Sequence, residues 1–301
     1  MSSTISATRP EAHTPPRARW LRRNTSFFGL LPFSIYVILF LLLPTVLSVG
    51  SGLFDGSGHF TWDNLAALGD PTVLVTFGNS LWLSLLASAV GAIGGSAVCY
   101  ALLGLRNGHP VRVFVDAVAG TLAKFGGVML AFIFIATIGR NSFINQWLVS
   151  MGIDIYKHGM WLYDMPGLIM PYIFFQIPLM VITFGPAMTS LRPQWAEANL
   201  ALGGTRRTFW TKIGIPVLAP SFAASFLLLF ANAFSAYATA AALASQGSQI
   251  VPLQIRAALT SDTVLGRQNL AGALAAGMII VMVIIMVAYS LIQRRAEKWR
   301  A

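Results

Sequence analysis

Six long apolar stretches, set apart by polar and charged turns, organise this chain. They run over Phe27–Val49, Leu81–Leu103, Val113–Ile138, Gly167–Leu191, Leu218–Leu243 and Leu270–Ile292. Each reaches the roughly 20 mostly apolar residues that a helix needs to cross a bilayer. The third is interrupted in its first half by Asp116 and Lys124. Lys124 reads as a cation near the end of a span, whose stem can snorkel to the interface; the rival reading is a functional group at depth. The pattern predicts an all-α integral membrane protein with six transmembrane helices.

Within the spans, a few residues break the apolar pattern. Ser225, Asn232, Ser235 and Thr239 of the fifth recur at helical spacing and fall on one face. Tyr172 and Gln176 add polar groups to the fourth. Polar groups at depth must face protein or water rather than lipid. Asn232, Ser235, Thr239, Gln176 and Tyr172 are therefore candidates for a translocation path, with interhelical hydrogen bonding as the alternative. Pro171, Pro178 and Pro186 predict that the fourth helix kinks or breaks. Gly91 and Gly95 in the second span, and Gly272 with Ala276 in the sixth, are small-residue faces suited to close helix packing.

Composition narrows the class. Only 10% of the 301 residues are charged and 56% are hydrophobic, with a mean hydropathy of +0.69. Soluble domains carry about 25% charged residues, so a soluble surface cannot be built. The net charge is +10, which could suggest nucleic acid, but its distribution argues otherwise. Fifteen of the 20 Lys and Arg residues fall in the two termini and the loops after spans two and four. Four (Arg140, Lys157, Arg256 and Arg267) fall in the opposite loops. Cations concentrate on the cytoplasmic side, which places both termini there and leaves no role for nucleic acid. Residues 1–25 read as a disordered basic cytoplasmic tail, with a transit peptide as the rival reading; 26–293 form the membrane domain and 294–301 a second basic tail. The single Cys99 and four scattered histidines offer no metal site. No cofactor is implied.

One loop is more than a connector. The cytoplasmic segment 192–216, between helices four and five, reads RPQWAEANLALGGTRRTFWTKIGIP. Pro193 suits a helix start. Gly203-Gly204 supplies a turn where φ can be positive. Thr205 is a good N-cap for a second short helix. The segment predicts helix, glycine turn, helix on the cytoplasmic face.

These residues resemble a family signature. Permease subunits of binding-protein-dependent type I ABC importers carry Glu-Ala-Ala, three residues, Gly, nine residues, Ile, one residue, Leu-Pro. Here the pattern is Glu197-Ala198-Asn199, Gly203, Ile213, Ile215 and Pro216, with every spacing kept. Asn199 and Ile215 depart from it; the Asn is expected on a solvated helix face. The resemblance implies the MetI-like fold and a coupling helix that seats on a cytoplasmic ATPase. It assigns ATPase coupling to Glu197, Ala198, Asn199, Gly203, Gly204, Ile213, Ile215 and Pro216. It also implies the partners: two ATP-binding cassette subunits, a second permease subunit (sibling or identical) and an extracytoplasmic solute-binding protein. The place is the bacterial plasma (inner) membrane. The chain itself has no phosphate-binding GxxxxGK[ST] loop and is not expected to be an enzyme.

Leu202-Gly203-Gly204 resembles the polyamine, iron, thiamine and sulfate type more than the sugar type, with a lean to spermidine/putrescine-type systems. Carbohydrate, iron or thiamine import are the alternatives within the family. A stand-alone secondary transporter would show internal repeats or several ionisable groups in its spans; repeats are not evident. A membrane enzyme would need clustered catalytic groups, and none is seen.

Overall fold

The computed structural model describes residues 30–106, 108–157, 159–244, 250–260 and 267–298. The basic tail 1–25 lies outside these residues. Six helical segments among them are long and apolar enough to cross a membrane. No strand occurs among the described residues beyond a single bridge between Phe54 and Phe60.

The chain divides into two compact units. In the first, α1 (Leu30–Ser51) is mostly apolar and carries no charged residue, and it widens to a π-turn over Ile38–Leu42. Its surface carries exposed Leu, Phe and Ile all round, the pattern of a helix whose solvent is lipid.

The second unit begins at Gly52. A short helix α2 (Asp63–Ala66) precedes α3 (Pro71–Leu102). Helix α3 starts ten residues before the apolar stretch because Asp70 caps it, accepting from the Thr72 N–H at 2.8 Å, with Pro71 in the first turn. At 32 residues it is about 48 Å long, more than a bilayer core of about 30 Å requires. Helix α7 (Met165–Thr189) packs along it. Gly91 and Gly95 of α3 make this contact: a Cβ added at either would overlap the side chain of Gln176 or Met180. The small-residue face of the second span thus packs inside the subunit. Helix α7 runs unbroken through Pro171, Pro178 and Pro186; packing against α3 holds it together where the missing N–H groups weaken it.

The expected third span is not one helix. It divides into α4 (Pro110–Leu122) and α5 (Val128–Ile138), and the stretch long and apolar enough to cross a membrane at this place runs Val128–Ser150. The five residues between them include Gly126 and Gly127, the latter at φ +76° immediately before α5, a conformation that side-chain-bearing residues avoid. The chain then turns through α6 (Phe143–Ser150), capped by Ser142, before α7. Helix α4 shares a core through Ala119 with Met180, Val181, Phe184 and Met188 of α7. Helix α5 shares one through Leu130 and Ala131 with Leu168, Tyr172 and Phe175. The two pieces therefore share cores with opposite halves of α7.

After α7 come α8 (Pro193–Ala201) and α9 (Arg206–Phe209). A π-turn over Trp210–Gly214 leads into α10 (Ile215–Phe234). The expected fifth span is also interrupted: residues 235–237 separate α10 from α11 (Ala238–Leu243). Helix α12 (Val251–Thr260) packs on α13 (Arg267–Lys298). The Val251 N–H at the start of α12 donates to Ser80 Oγ of α3 at 2.8 Å, which satisfies a buried orphan donor.

Candidate functional site

The segment 192–216 folds as helix, glycine turn and helix. Pro193 opens α8. Gly203 sits at φ +77° with no atom near its missing Cβ, so its role is backbone conformation rather than close approach. The close approach belongs to Gly204, whose added Cβ would overlap the Asn199 side chain. Asn199 is buried, not solvated. Its Nδ2 donates to the Thr205 carbonyl at 3.1 Å, and its own carbonyl accepts from the Gly204 N–H at 2.8 Å. Asn199 therefore staples the turn, and Gly204 leaves room for it. Thr205 caps α9 by accepting from the Thr208 N–H at 3.3 Å.

The inner side of this wedge is anchored to the end of α3. Tyr100 meets the Trp210 ring edge-on at 5.3 Å, and the Arg206 guanidinium lies 5.8 Å from the centre of the Tyr100 ring. Arg206 also donates to the Tyr100 hydroxyl. A cavity of about 390 Å³ remains between α8, α9 and the α3 end, lined among others by Tyr100, Leu103, Asn199 and Phe209. The outer side is bare. Leu202 is 89% exposed and Leu200 64%, beside exposed Glu197, Ala198 and Ala201. Ile215 is exposed, while Ile213 and Pro216 are half-buried at the entry to α10. An apolar, rigid knob with a carboxylate beside it is a surface shaped for a protein partner.

The polar residues of the spans separate into two groups. Tyr172 and Gln176 are completely buried. Tyr172 donates its hydroxyl to the Ala236 carbonyl at 2.6 Å, and Gln176 Nε2 donates to the Leu229 carbonyl at 2.7 Å. Thr239 is buried too: its Oγ accepts from the Gly127 N–H at 3.0 Å and donates to the Gly127 carbonyl at 3.2 Å. These three tie α7, α5, α10 and α11 together, which is the interhelical role. Ser225 is buried. Asn232 and Ser235 are exposed, and Ser235 Oγ donates back to the Ala231 carbonyl at 2.9 Å. The four polar residues of the fifth span do not form one continuous face, because the helix stops at 235–237 before Thr239. A Gly-Gly pair beside a lysine inside an apolar run was the available sign of the α4–α5 break; hydrophobicity alone gave none.

No family model matches the chain. It is 24% identical over 204 residues to the sulfate transport system permease protein CysT of Escherichia coli (strain K12), spanning 67% of this chain and 69% of that one. It is 26% identical over 206 residues to the ferric transport system permease protein FbpB of Actinobacillus pleuropneumoniae, spanning 67% of this chain but 29% of that protein. In three dimensions it is similar to a chain of a bacterial ABC transporter involved in the import of the acidic polysaccharide alginate. The TM-score is 0.74 at 17% identity, covering 93% of this chain and 99% of that one. A bacterial alginate ABC transporter in complex with an alginate pentasaccharide-bound periplasmic protein gives 0.71 at 17%, covering 92% and 96%.

The fold is that of an ABC importer permease. The chain is a multi-pass inner-membrane transport subunit and not an enzyme. The relatives named here serve sulfate and ferric transport; neither is a polyamine system, so the lean drawn from Leu202-Gly203-Gly204 gains no support from them.

Proposed function

We propose that this permease couples a cytoplasmic ATPase to solute uptake through α8 and its glycine turn. In this reading both termini are cytoplasmic, the membrane domain spans 26–293, and 192–216 is its contact with the motor. Two ATP-binding cassette subunits, a second permease and an extracytoplasmic binding protein complete the importer. The observation that carries the reading is the exposed Leu200–Leu202 knob, with Glu197 beside it, on a wedge anchored from within by Asn199 and the Tyr100–Arg206–Trp210 contacts. A leucine exposed to 89% costs hydration unless a partner covers it. A rigid lever is what transmits motion between two bistable assemblies.

The cargo is a small polar solute. The sulfate and ferric relatives support a type near theirs, with iron among the alternatives weighed from the sequence.

Leu202→Asp tests the reading, because it alters the knob without touching the buried anchor. Truncated anchors of this kind cost about 2 kcal/mol or more of binding. The variant is expected at normal membrane levels with its ATPase no longer co-purifying and uptake lost; Glu197→Ala should weaken both. Undiminished uptake and co-purification in both variants would remove the coupling assignment.

A further inference from the structure

A second cavity, of about 350 Å³, lies at the opposite end of α7 from the 192–216 segment. Its walls come from the last turn of α5, the corner at 139–142 and the segment 160–163. Met160 and Tyr163 line it and directly precede α7, which starts at Met165. Helix α7 has 25 residues, about 37 Å of helix, so it crosses a core of about 30 Å with its ends at headgroup level. The Tyr156 hydroxyl donates to the Ile138 carbonyl at 2.6 Å, which ties the end of α5 to the same loop. The cavity therefore opens at the membrane surface. Trp161 and Tyr163 there are residue types that settle at this level.

The corner is preformed. Asn145 Nδ2 donates to the Arg140 carbonyl at 2.7 Å, and the Asn145 N–H donates to Ser142 Oγ at 3.2 Å. Ser142 lines the cavity and is only 6% exposed. Its oxygen accepts that bond, while its hydroxyl proton meets no acceptor among the described residues. Arg140 also lines the cavity. It pairs with no carboxylate among the described residues, and its Nη1 rests 4.0 Å from the Met160 sulfur. A guanidinium and a buried hydroxyl proton, both without an acceptor, border one cavity. Both are donors that an anionic oxygen satisfies.

The rest of the wall is largely apolar: Ile135, Ala136 and Met160. Ile135 and Ala136 belong to α5 and precede the corner, so they lie on its membrane side. Further along α5, Met129, Phe132 and Ile133 are exposed, a surface suited to hydrocarbon. Donors at the surface and an apolar wall leading into the bilayer match the polarity order of a phospholipid. A carboxylate from a water-soluble protein would use the cation and leave the apolar wall unfilled.

We propose that this corner holds one glycerophospholipid, with its phosphate on Arg140 and the Ser142 hydroxyl and its acyl chains along Ile135, Ala136 and the exposed side of α5. The guanidinium fork matches paired phosphate oxygens. The lipid ties the turn between α5 and α6 to the segment that enters α7. In the orientation proposed above it belongs to the outer leaflet.

Native mass spectrometry of the full chain in detergent, stripped of lipid and titrated with dioleoylphosphatidylglycerol, tests this. The wild type should hold one lipid more tightly than any further ones. Arg140→Gln should weaken that first affinity about tenfold or more, the scale of a lost charge-assisted hydrogen bond, and Arg140→Lys should weaken it less. Ala136→Trp obstructs the apolar wall at an exposed position, sparing both the cation and the core, and should weaken binding too. Arg256→Gln removes an exposed cation outside the cavity and should change nothing. Dioleoylglycerol and soluble glycerol phosphate, each half of the ligand, should bind more weakly than the whole lipid. Wild-type affinity in both Arg140→Gln and Ala136→Trp overturns the site, and an equal loss in Arg256→Gln overturns its specificity. Glycerol phosphate binding as tightly as the lipid would assign a free phosphate ester instead. If no lipid is preferred and Arg140→Gln instead abolishes capture of a solute-binding protein, the cavity takes a protein carboxylate and the lipid assignment falls.

Discussion

At the scale of single residues, the 192–216 loop shows how a departure from the family pattern is accommodated by its neighbour. Asn199 stands where the signature has alanine, and Gly204 follows the signature glycine. The structure joins them: the Asn199 amide fills the space of a residue-204 Cβ and bonds across the turn to the Thr205 carbonyl. Gly204→Ala should therefore destabilise the loop by about 1–3 kcal/mol through overpacking. Asn199→Ala should cost about 1 kcal/mol through the lost hydrogen bond. The double variant is expected to be more stable than Gly204→Ala alone, because removing the amide makes room for the methyl group. Thermal unfolding of the purified subunit in detergent, run as a double-mutant cycle, checks this; strictly additive effects would contradict the steric pairing. The chain's sequence shows both residues but not their coupling, since the two positions meet only once Gly203 has turned the backbone.

At the scale of elements, close backbone approach organises the centre of the subunit. Helices α3 and α7 meet over Gly91 and Gly95, with Ser88 also reaching Gln176 at 3.4 Å. Gly95→Leu is expected to separate these helices and lower the melting temperature of the isolated subunit. If the glycine face instead served contact between two permeases, the isolated subunit would melt unchanged and only the assembled complex would weaken. The glycine pattern was legible in the sequence as a packing face. Its partner was not, because a helix of uniform hydropathy carries no mark of which neighbour it meets. The interruptions at 123–127 and 235–237 were hidden for a similar reason. Apolar runs continue through both, and the Gly127–Thr239 bonds that fasten them join residues 112 positions apart.

At the scale of the whole molecule, orientation is the property that the described helices leave to experiment. The loop-charge asymmetry predicts that Asp63 and Asp154 face outward and Arg207 the cytoplasm. All three are exposed, and the lone thiol of Cys99 is buried. Single cysteines at these positions in a Cys99→Ala background should react with an impermeant reagent from outside at 63 and 154, and only after permeabilisation at 207. Outside labelling at 207 would invert the assignment, and with it the side of the membrane on which α8 lies.

The sequence by itself determined the class of this protein. Length and apolarity of the runs fix the number of crossings, because a bilayer core of given thickness demands a given helix length. Motif spacing set the helix–turn–helix of 192–216, because Pro193, Gly203 and Thr205 act locally on their own backbone. Only the tertiary structure decided that Asn199 is a buried staple, that Tyr172, Gln176 and Thr239 bind helices to one another, and that the expected third span divides into α4 and α5. Burial and depth are relations between distant segments, and hydropathy along one segment does not contain them.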